Sequence, residues 1–190
     1  MLELVNVDIK EFKQTIYKEY EKLFPENERK SYKRIKKGVN NGIVNIVKIV
    51  DDSKFIGFMI INKIKNVQYL CLDYFAILPE YQNKGYGTKA IKLLKEQCKN
   101  CNGVYVEVER VRNDNTDEDK IRAKRVNFYE NIGFYKLSFD LLLFSVEYSL
   151  YILQTSDIKE DEEKITKDIF TIYNTIVGER RVRKNCKIIS

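Results

Sequence analysis

The order of the apolar segments at the centre of the chain most constrains the fold. The apolar run Val67–Leu78 leads through "PEYQNKGYGTKAI" into a helical pattern, and the alternating segment "GVYVEVERV" follows. A strand, a helix and another strand in succession form a β-α-β crossover, which places two parallel strands in one sheet. The sequence therefore predicts an α/β fold with a parallel strand pair at its centre.

Further patterns extend this unit in both directions. The strand "LELV" precedes a helical pattern from Asp8 to Phe24, and Pro25 is expected to open a second, basic helix through "ENERKSYKRIKK". The runs "IVNIVKIV" and "KFIGFMIINKI", joined by "DDS", predict a β-hairpin. A helix through "KIRAKRVNFYENIGF", strands around "FYKLSF" and "VEYSLYIL", and a last helix from Asp157 follow. The predicted order is β-α-α-β-β-β-α-β-α-β-β plus a C-terminal helix, an α/β fold whose sheet is mixed, with α+β character.

The length of 190 residues fits a single domain, residues 1–190. The strands and helices of the sheet form a core, residues 1–155, and residues 156–190 form a C-terminal helical extension. This extension is expected to pack on the sheet or on a second subunit through an apolar stripe at helical spacing. The stripe consists of Ile165, Ile169, Ile172 and Ile176.

The absence of histidine restricts the chemistry of any active site. It excludes the Ser-His-Asp and Cys-His nucleophile systems and most catalytic zinc sites. A general base must then be a carboxylate, a lysine, a tyrosine or a water. Cys98 and Cys101 form a C-x-x-C pair, but no second pair and no histidine complete a tetrahedral site. We therefore expect no bound metal.

The charge balance suits an anionic partner. The chain has 34 Lys and Arg against 28 Asp and Glu, a net charge of +6, which leaves phosphate-rich cofactors, nucleic acid and acidic membranes open. The runs "RKSYKRIKK" and "RRVRK" could serve a nucleic-acid-binding module, but acidic neighbours and the lack of a recognised motif favour solvated helix faces. Short apolar stretches and the lack of a leader pattern predict a cytoplasmic protein with reduced thiols and no membrane segment.

The segment "QNKGYG" has the character of a phosphate-binding turn. Backbone N–H groups at a helix start point outward and, with the helix dipole, attract phosphate. Gly85 and Gly87 permit a close approach, and Lys84 adds positive charge. The P-loop pattern G-x-x-x-x-G-K-[ST] does not occur in the chain.

A dinucleotide fingerprint is a second possibility for this segment. Gly85, Gly87 and Ala90 satisfy G-x-G-x-x-A, and Glu107 stands about 20 residues further on, where a ribose-binding acid is expected. However, residues 79–84 separate the strand from the glycines, and no second β-α-β-α-β half follows. The context therefore disfavours a dinucleotide fold.

A third pattern agrees with more of the chain. "FAILPEYQNKGYGTKAI" resembles the signature segment of GNAT-family N-acetyltransferases, whose acyl-CoA loop has the pattern Q/R-x-x-G-x-G/A. Residues 82–87 match it without a gap, and "FYENIGF" and the order of elements agree as well. The resemblance implies a GNAT-like acyl-CoA N-acyltransferase fold. It also implies an enzyme that transfers an acetyl group from acetyl-CoA to a primary amine by direct attack in a ternary complex.

The resemblance leaves several properties open. A family member that binds acyl-CoA as a sensor without catalysis is an alternative. The acceptor could be a small-molecule or peptide amine, and the protein could be a monomer or a homodimer. Two positions depart from the family's later-helix pattern, because Arg122 and Arg125 stand where Asn and Ala are common. Arg125 could instead reach a phosphate.

The resemblance also implies where the cofactor binds. The backbone of Phe75 and Ile77 would pair with the pantetheine arm, the N–H of Phe75 would stabilise the oxyanion, and the amides of residues 83–88 would hold the pyrophosphate. The predicted cofactor-binding residues are Phe75, Ile77, Gln82, Asn83, Lys84, Gly85, Tyr86, Gly87, Thr88 and Arg125.

Proton transfer requires an acid and a base. Tyr129, in "FYENIGF", stands where the family has a tyrosine that protonates the leaving thiolate. The candidates for the base on the acceptor side are Asp73, Glu107 and Glu109. Because Glu107 and Glu109 are two residues apart on one strand, they share a face, where like charge and partial burial could raise the pKa of one of them.

Overall fold

The computed structural model describes residues 1–98, 100–158 and 161–189. The chain divides into two compact units. The first consists of Met1–Lys65 and Leu72–Gln97, and the second of Asn66–Cys71 and Cys98–Ser190. Among the described residues, no helix is both long enough and apolar enough to cross a membrane.

The first unit contains an antiparallel meander covered by helices. Its strands are β1 (Leu2–Val7), β2 (Val44–Asp51), β3 (Lys54–Asn62) and the larger part of β4 (Tyr69–Ile77). Its helices are α1 (Ile9–Glu11), α2 (Tyr17–Leu23), α3 (Tyr32–Asn40) and α4 (Tyr86–Gln97), with a π-helical segment Phe12–Ile16 and a 3₁₀ turn Pro79–Tyr81.

The predicted hairpin between β2 and β3 is confirmed. The two strands pair antiparallel from Val44↔Asn62 to Asp51↔Lys54. Asp52 and Ser53 form a two-residue turn with φ angles of 46° and 65°. Two successive positive φ angles are typical of a type I′ turn, which matches the twist of the flanking strands.

Helices α1, α2 and α3, with the π-helical segment, cover one face of this meander. Phe12, Ile16, Tyr20 and Ile35 are fully or almost fully buried and belong to one apolar cluster with Phe58 of β3. Asp8 accepts the amides of residues 10 and 11 and begins the first helical segment. The predicted amphipathic pattern from residue 8 to residue 24 is therefore a helical segment packed on the sheet.

The second basic helix begins later than Pro25, where the sequence predicted its start. Ser31 caps α3, which starts at Tyr32. The amide of Lys30 donates to the hydroxyls of Tyr20 (2.7 Å) and Tyr74 (3.0 Å), and is therefore not available to a helical carbonyl. Contacts distant in sequence keep residues 25–31 as a turn, which local pattern could not indicate.

The second unit contains the parallel pair and the C-terminal elements. These are β5 (Gly103–Glu109), α5 (Asp117–Ile132), β6 (Tyr135–Leu143), β7 (Val146–Gln154), α6 (Glu162–Val177), α7 (Glu179–Asn185) and β8 (Cys186–Ile189). Residues 69–71 of β4 pair parallel with residues 103–105 of β5, which confirms the predicted crossover. The strands form an eight-stranded mixed sheet of order β1-β2-β3-β4-β5-β7-β6-β8. The fold is thus mixed α/β, as predicted.

The C-terminal residues include a strand that the sequence pattern did not indicate. The segment "CKII" forms β8 and pairs antiparallel with β6, from Asp140↔Ile189 to Leu143↔Cys186. Helix α6 packs within its own unit, since Ile165, Ile169 and Ile172 are buried. This is the packing on the sheet that was one of the two expectations for the extension.

Candidate functional site

The loop after β4 is braced by two of its own side chains. Gln82 donates from Nε2 to the carbonyl of Ile77 (2.8 Å), the last residue of the strand. Lys84 donates from Nζ to the carbonyl of Glu80 (2.7 Å), in the 3₁₀ turn. Both bonds fold the loop back on the end of β4, so the loop has a defined conformation before any ligand binds.

The backbone of this loop presents an open surface at the start of α4. Asn83 and Gly85 have positive φ angles of 59° and 78°. A Cβ placed on Gly85 would meet no heavy atom within 4 Å, so the space beside this residue is open. The amide of Lys89 donates to the carbonyl of Gly85 (3.1 Å), so the amides of residues 86–88 precede the helical ladder. Amides outside the helical ladder and a positive helix end fit a diphosphate.

Tyr86 fastens the first turn of α4 to the hairpin. Its hydroxyl donates to Oδ2 of Asp51 (3.0 Å), and this carboxylate raises the pKa of the phenol. Its ring lies edge-on to Tyr81, with 6.0 Å between the centroids. The side chain of Tyr86 is therefore structural, and the contact predicted for it with the cofactor would come from its amide.

Close packing fixes the end of β4. A Cβ on Gly57 of β3 would lie 2.2 Å from the carbonyl oxygen of Ala76 and 3.0 Å from the Cα of Ile77. Phe75 and Ile77 are half-buried on β4. The pairing of their backbone with a pantetheine arm stays a prediction, as does the oxyanion contact of Phe75.

Asp73, a candidate base, forms an ion pair with Lys30. The ammonium of Lys30 also lies 5.8 Å from the ring centroid of Tyr74. The hydroxyl of Tyr74 donates to the carbonyl of Glu28 (2.7 Å), and burial raises its pKa, which keeps it a neutral donor. Asp73 thus helps to anchor the turn before α3.

Glu109, a second candidate, is engaged by Arg122. The Nε of Arg122 lies 2.7 Å from Oε2 of Glu109, and its Nη1 lies 3.8 Å from Oδ1 of Asp119. Asp119 is buried and accepts the amides of Arg112 and Asn113, both at 2.7 Å. The arginine that departs from the family's asparagine therefore ties α5 to β5, and Glu109 is part of that structural network.

Glu107 accepts a hydrogen bond from the C-terminal extension. The hydroxyl of Tyr173 in α6 donates to its Oε1 at 2.6 Å. Tyr173 is 6% exposed, and its ring lies edge-on to Tyr105 of β5. Sequence reasoning did not identify Tyr173. Tyr173 directly follows Ile172 of the isoleucine stripe, and this position was the sequence signal that could have indicated that it faces the sheet.

Tyr129 lies in the last turn of α5. Gly133, with φ 102°, ends this helix, and the amide of Phe134 donates to the carbonyl of Tyr129 (3.1 Å). The phenol ring contacts Phe128 and Phe134, with centroids 5.1 and 5.0 Å away. Burial raises the pKa of Tyr129 to about 12, and the charge of Arg125 opposes this rise. Its hydroxyl forms no hydrogen bond within the part of the chain that the structure describes.

The predicted site residues thus fall into two sets. The first unit contains Asp73, Phe75, Ile77 and residues 82–88, which follow one another along β4, the loop and α4. The second unit contains Glu107, Glu109, Arg125 and Tyr129 on β5 and α5. Arg125 is exposed, and its contact with a phosphate stays a prediction. In residues 1–98, 100–158 and 161–189, no group of three or more Cys, Asp or Glu side chains is placed to hold a metal.

Comparison with known proteins identifies the family. The family model described as "Acetyltransferase (GNAT) family" matches residues 10–134, about two thirds of the chain. The chain therefore belongs to the GNAT family of acetyltransferases, whose members are enzymes. No curated protein gave a significant match to the sequence.

Solved structures of the same fold accompany this match. A GNAT-family protein from Bacteroides thetaiotaomicron is similar with a TM-score of 0.73 and 21% identity, over 93% of this chain and 98% of that one. The ribosomal-protein-S18-alanine N-acetyltransferase of Escherichia coli has a TM-score of 0.59 and 17% identity, over 85% and 98%. The spermidine N-acetyltransferase of Vibrio cholerae, solved with CoA and spermine, has a TM-score of 0.61 and 16% identity, over 81% of this chain and 95% of that one.

Proposed function

We propose that this protein is an acetyl-CoA-dependent N-acetyltransferase that acetylates a primary amine by direct attack in a ternary complex. The observation that carries the proposal is the loop at residues 82–88, with its two positive φ angles, open space beside Gly85 and amides that precede the helical ladder of α4. In this proposal the amides of residues 83–88 hold the diphosphate, and the side chains of Gln82 and Lys84 keep the loop in shape. The backbone of Phe75 and Ile77 binds the pantetheine arm.

The proton transfers are assigned to residues of the second unit. When bound, acetyl-CoA supplies the activated acetyl group. Glu107 accepts the proton that the acceptor ammonium must lose before its nitrogen can form the new C–N bond. Tyr129 donates a proton to the sulfur as the C–S bond breaks, since its raised pKa keeps the phenol protonated at neutral pH.

Asp73 and Glu109 are less favoured as the base because each of them is held in a structural ion pair. Asp73 pairs with Lys30, and Glu109 pairs with Arg122. Protonating Asp73 during turnover would remove the ion pair of the partly buried Lys30, and protonating Glu109 would remove the closer of the two carboxylates that Arg122 contacts. Both changes are unfavourable. The hydrogen bond from Tyr173 to Glu107 is compatible with a carboxylate that changes its protonation state during the reaction.

The proposal covers residues 1–190 as one cytoplasmic acetyltransferase domain, with a core at 1–155 and an extension at 156–190. The acceptor is proposed to be a small-molecule or peptide amine. Two structural relatives, a spermidine N-acetyltransferase and a ribosomal-protein-S18-alanine N-acetyltransferase, give the classes to test first. At 16–17% identity these relatives support the fold, and the choice between amine classes needs an assay.

The test measures release of free CoA from acetyl-CoA in the presence of polyamines, amino sugars, peptides with free N-termini and lysine peptides. The proposal expects multiple turnovers with at least one class. It also expects an acetylated amine of the corresponding mass. Tight binding of acetyl-CoA without turnover on any class would instead favour the acyl-CoA sensor. Failure to bind acetyl-CoA would refute both functions.

A further inference from the structure

A side chain from outside the matched family segment reaches the candidate base. The family model ends at residue 134, whereas Tyr173 lies in α6 of the C-terminal extension. Its hydroxyl donates to Oε1 of Glu107 at 2.6 Å, a short bond that is typical of a phenol donating to a carboxylate. The extension thus contributes a contact to a residue to which the proposed function assigns a proton transfer.

We infer that Tyr173 is a positioning residue for Glu107. It binds one carboxylate oxygen, fixes the rotamer of the side chain and favours its ionised form, which is the form that accepts the proton of the acceptor amine. The inference rests on the proposed function for the role of Glu107 as the base. The hydrogen bond itself is independent of that function.

Packing holds the phenol of Tyr173 in place. Its ring contacts Tyr105 edge-on at 6.4 Å and Phe170 at 5.9 Å between centroids. Ile169 and Ile172, on the same helix, are fully buried and anchor α6 in its unit. A donor held by its surroundings loses little side-chain entropy when it binds, so more of the hydrogen-bond energy is available to orient the carboxylate.

Titratable groups from three other positions lie beside the Glu107–Tyr173 pair. They include Tyr105 on β5, Cys71 on β4 and Cys186 on β8. Burial raises the pKa of Tyr105, Tyr173 and Cys186, so these three are neutral at pH 7. Among neutral, buried neighbours a carboxylate is costly unless a donor satisfies it. Tyr173 is one such donor for Glu107.

Tyr105 provides a matched control for Tyr173. Both are buried tyrosines of the same cluster, and their rings are in contact. The hydroxyl of Tyr105 lies near the thiol of Cys71 and forms no hydrogen bond to Glu107, whereas that of Tyr173 donates to Glu107. Replacing either residue by phenylalanine removes one buried hydroxyl, but only Tyr173→Phe removes a donor from the carboxylate.

The experiment titrates Glu107 in the full-length protein by carbon NMR with ¹³C-labelled glutamate, with the signal assigned through Glu107→Gln. Tyr173→Phe should raise the titration midpoint of Glu107 by about one to two pH units, because a hydrogen bond to a charged group is lost. Tyr105→Phe should leave the midpoint unchanged. Equal midpoints in wild type and Tyr173→Phe, or an equal shift in Tyr105→Phe, would overturn the inference.

A second experiment retains every tyrosine hydroxyl, so its result does not depend on whether a substituted protein folds. Uniform 3-fluorotyrosine makes each phenol a stronger donor, so the Glu107 midpoint should fall below that of the unlabelled protein. A midpoint that does not fall would count against the hydrogen bond as the cause.

Activity measurements separate this inference from the proposed function. In an active enzyme, the acidic limb of the kcat/KM profile should move to higher pH in Tyr173→Phe, since the base must be deprotonated to act. An NMR shift without turnover on any amine would refute the proposed function and leave the Tyr173–Glu107 relation intact. Turnover with unchanged midpoints and an unchanged profile would refute the inference alone.

Discussion

Replacing Gly57 by alanine tests how tightly the end of β4 is held. The new Cβ would lie 2.2 Å from the carbonyl oxygen of Ala76 and 3.0 Å from the Cα of Ile77. Both obstacles are backbone atoms, so no side-chain rotation can relieve the contact. Carbon and oxygen repel each other strongly below about 3 Å, so β3 and β4 must separate by roughly 1 Å at this point.

The expected cost follows from two opposing effects. Overpacking of a well-packed interior costs about 1–3 kcal/mol, and a collision with backbone belongs at the upper end of this range. Alanine in a strand recovers about 0.5–1 kcal/mol of the conformational entropy that glycine loses on folding. The net loss of unfolding free energy should be about 2 kcal/mol, which lowers the melting temperature by about 4–8 °C for a chain of this size.

The displacement should also affect cofactor binding. Ala76 and Ile77 are the last residues of β4, and the 3₁₀ turn that leads into the loop begins two residues after Ile77. We expect the affinity for CoA to fall about tenfold, because the loop is carried by the displaced strand end. Urea unfolding and isothermal titration calorimetry measure the two effects on the same protein.

Gly38→Ala is the matched control. Its Cβ would lie 2.3 Å from Cγ2 and 3.1 Å from Cβ of Val44, which are side-chain atoms and not backbone, and alanine in α3 recovers about 1 kcal/mol of helix propensity. Stability should fall less than in Gly57→Ala, and CoA affinity should not change. The reasoning is refuted if Gly57→Ala retains wild-type stability and affinity, or if Gly38→Ala is the more damaging change.

Three further predictions concern function. Tyr129→Phe should lower kcat about 10²-fold and leave the affinity for CoA unchanged. Single-turnover kinetics measures the first effect and calorimetry the second. A wild-type rate of the chemical step in this variant would refute the assignment of Tyr129 as the acid. Because the pKa of Tyr129 is raised to about 12, this phenol should stay protonated and cause no loss of rate between pH 7 and about pH 10. Replacing the exposed Lys33, Lys36 and Lys37 by glutamine should leave CoA binding intact. Tight, steeply salt-dependent binding of oligonucleotides by the wild type would revive the nucleic-acid hypothesis.

The parts of the fold predictable from sequence are those with strong local signals. The crossover from β4 to β5 follows from two apolar runs around a helical pattern, and the β2–β3 hairpin follows from two β-branched runs around a short polar turn. The start of α3 was not predictable, because hydroxyls of Tyr20 and Tyr74 take the amide of Lys30 and delay the helix. Strand β8 is only four residues long and exists through its pairing with β6.

The candidate site also has one part that is predictable from the sequence and one part that is not. The loop at residues 82–88 is a local motif, and its positive φ angles stand where the sequence has asparagine and glycine. The partners of the carboxylates come from distant segments. Lys30 is 43 residues from Asp73, and Tyr173 is 66 residues from Glu107. Spacing along one strand placed Glu107 and Glu109 together but could not reveal that Arg122 engages one of them and Tyr173 the other.

The most direct test of the account measures CoA binding by calorimetry in wild type, Gly85→Asp and Gly42→Asp. Both glycines have positive φ angles, 78° and 68°, and open space beside them, so the two variants share the same backbone strain. A new carboxylate at Gly85 would face the diphosphate. For two unit charges about 4 Å apart, the repulsion costs about 1 kcal/mol in water and about 4 kcal/mol at an effective dielectric constant of 20. The account predicts stoichiometric CoA binding by the wild type, a loss of about 10- to 10³-fold in Gly85→Asp, and wild-type affinity in Gly42→Asp. Unchanged CoA affinity in Gly85→Asp would contradict the assignment of residues 82–88 as the cofactor site.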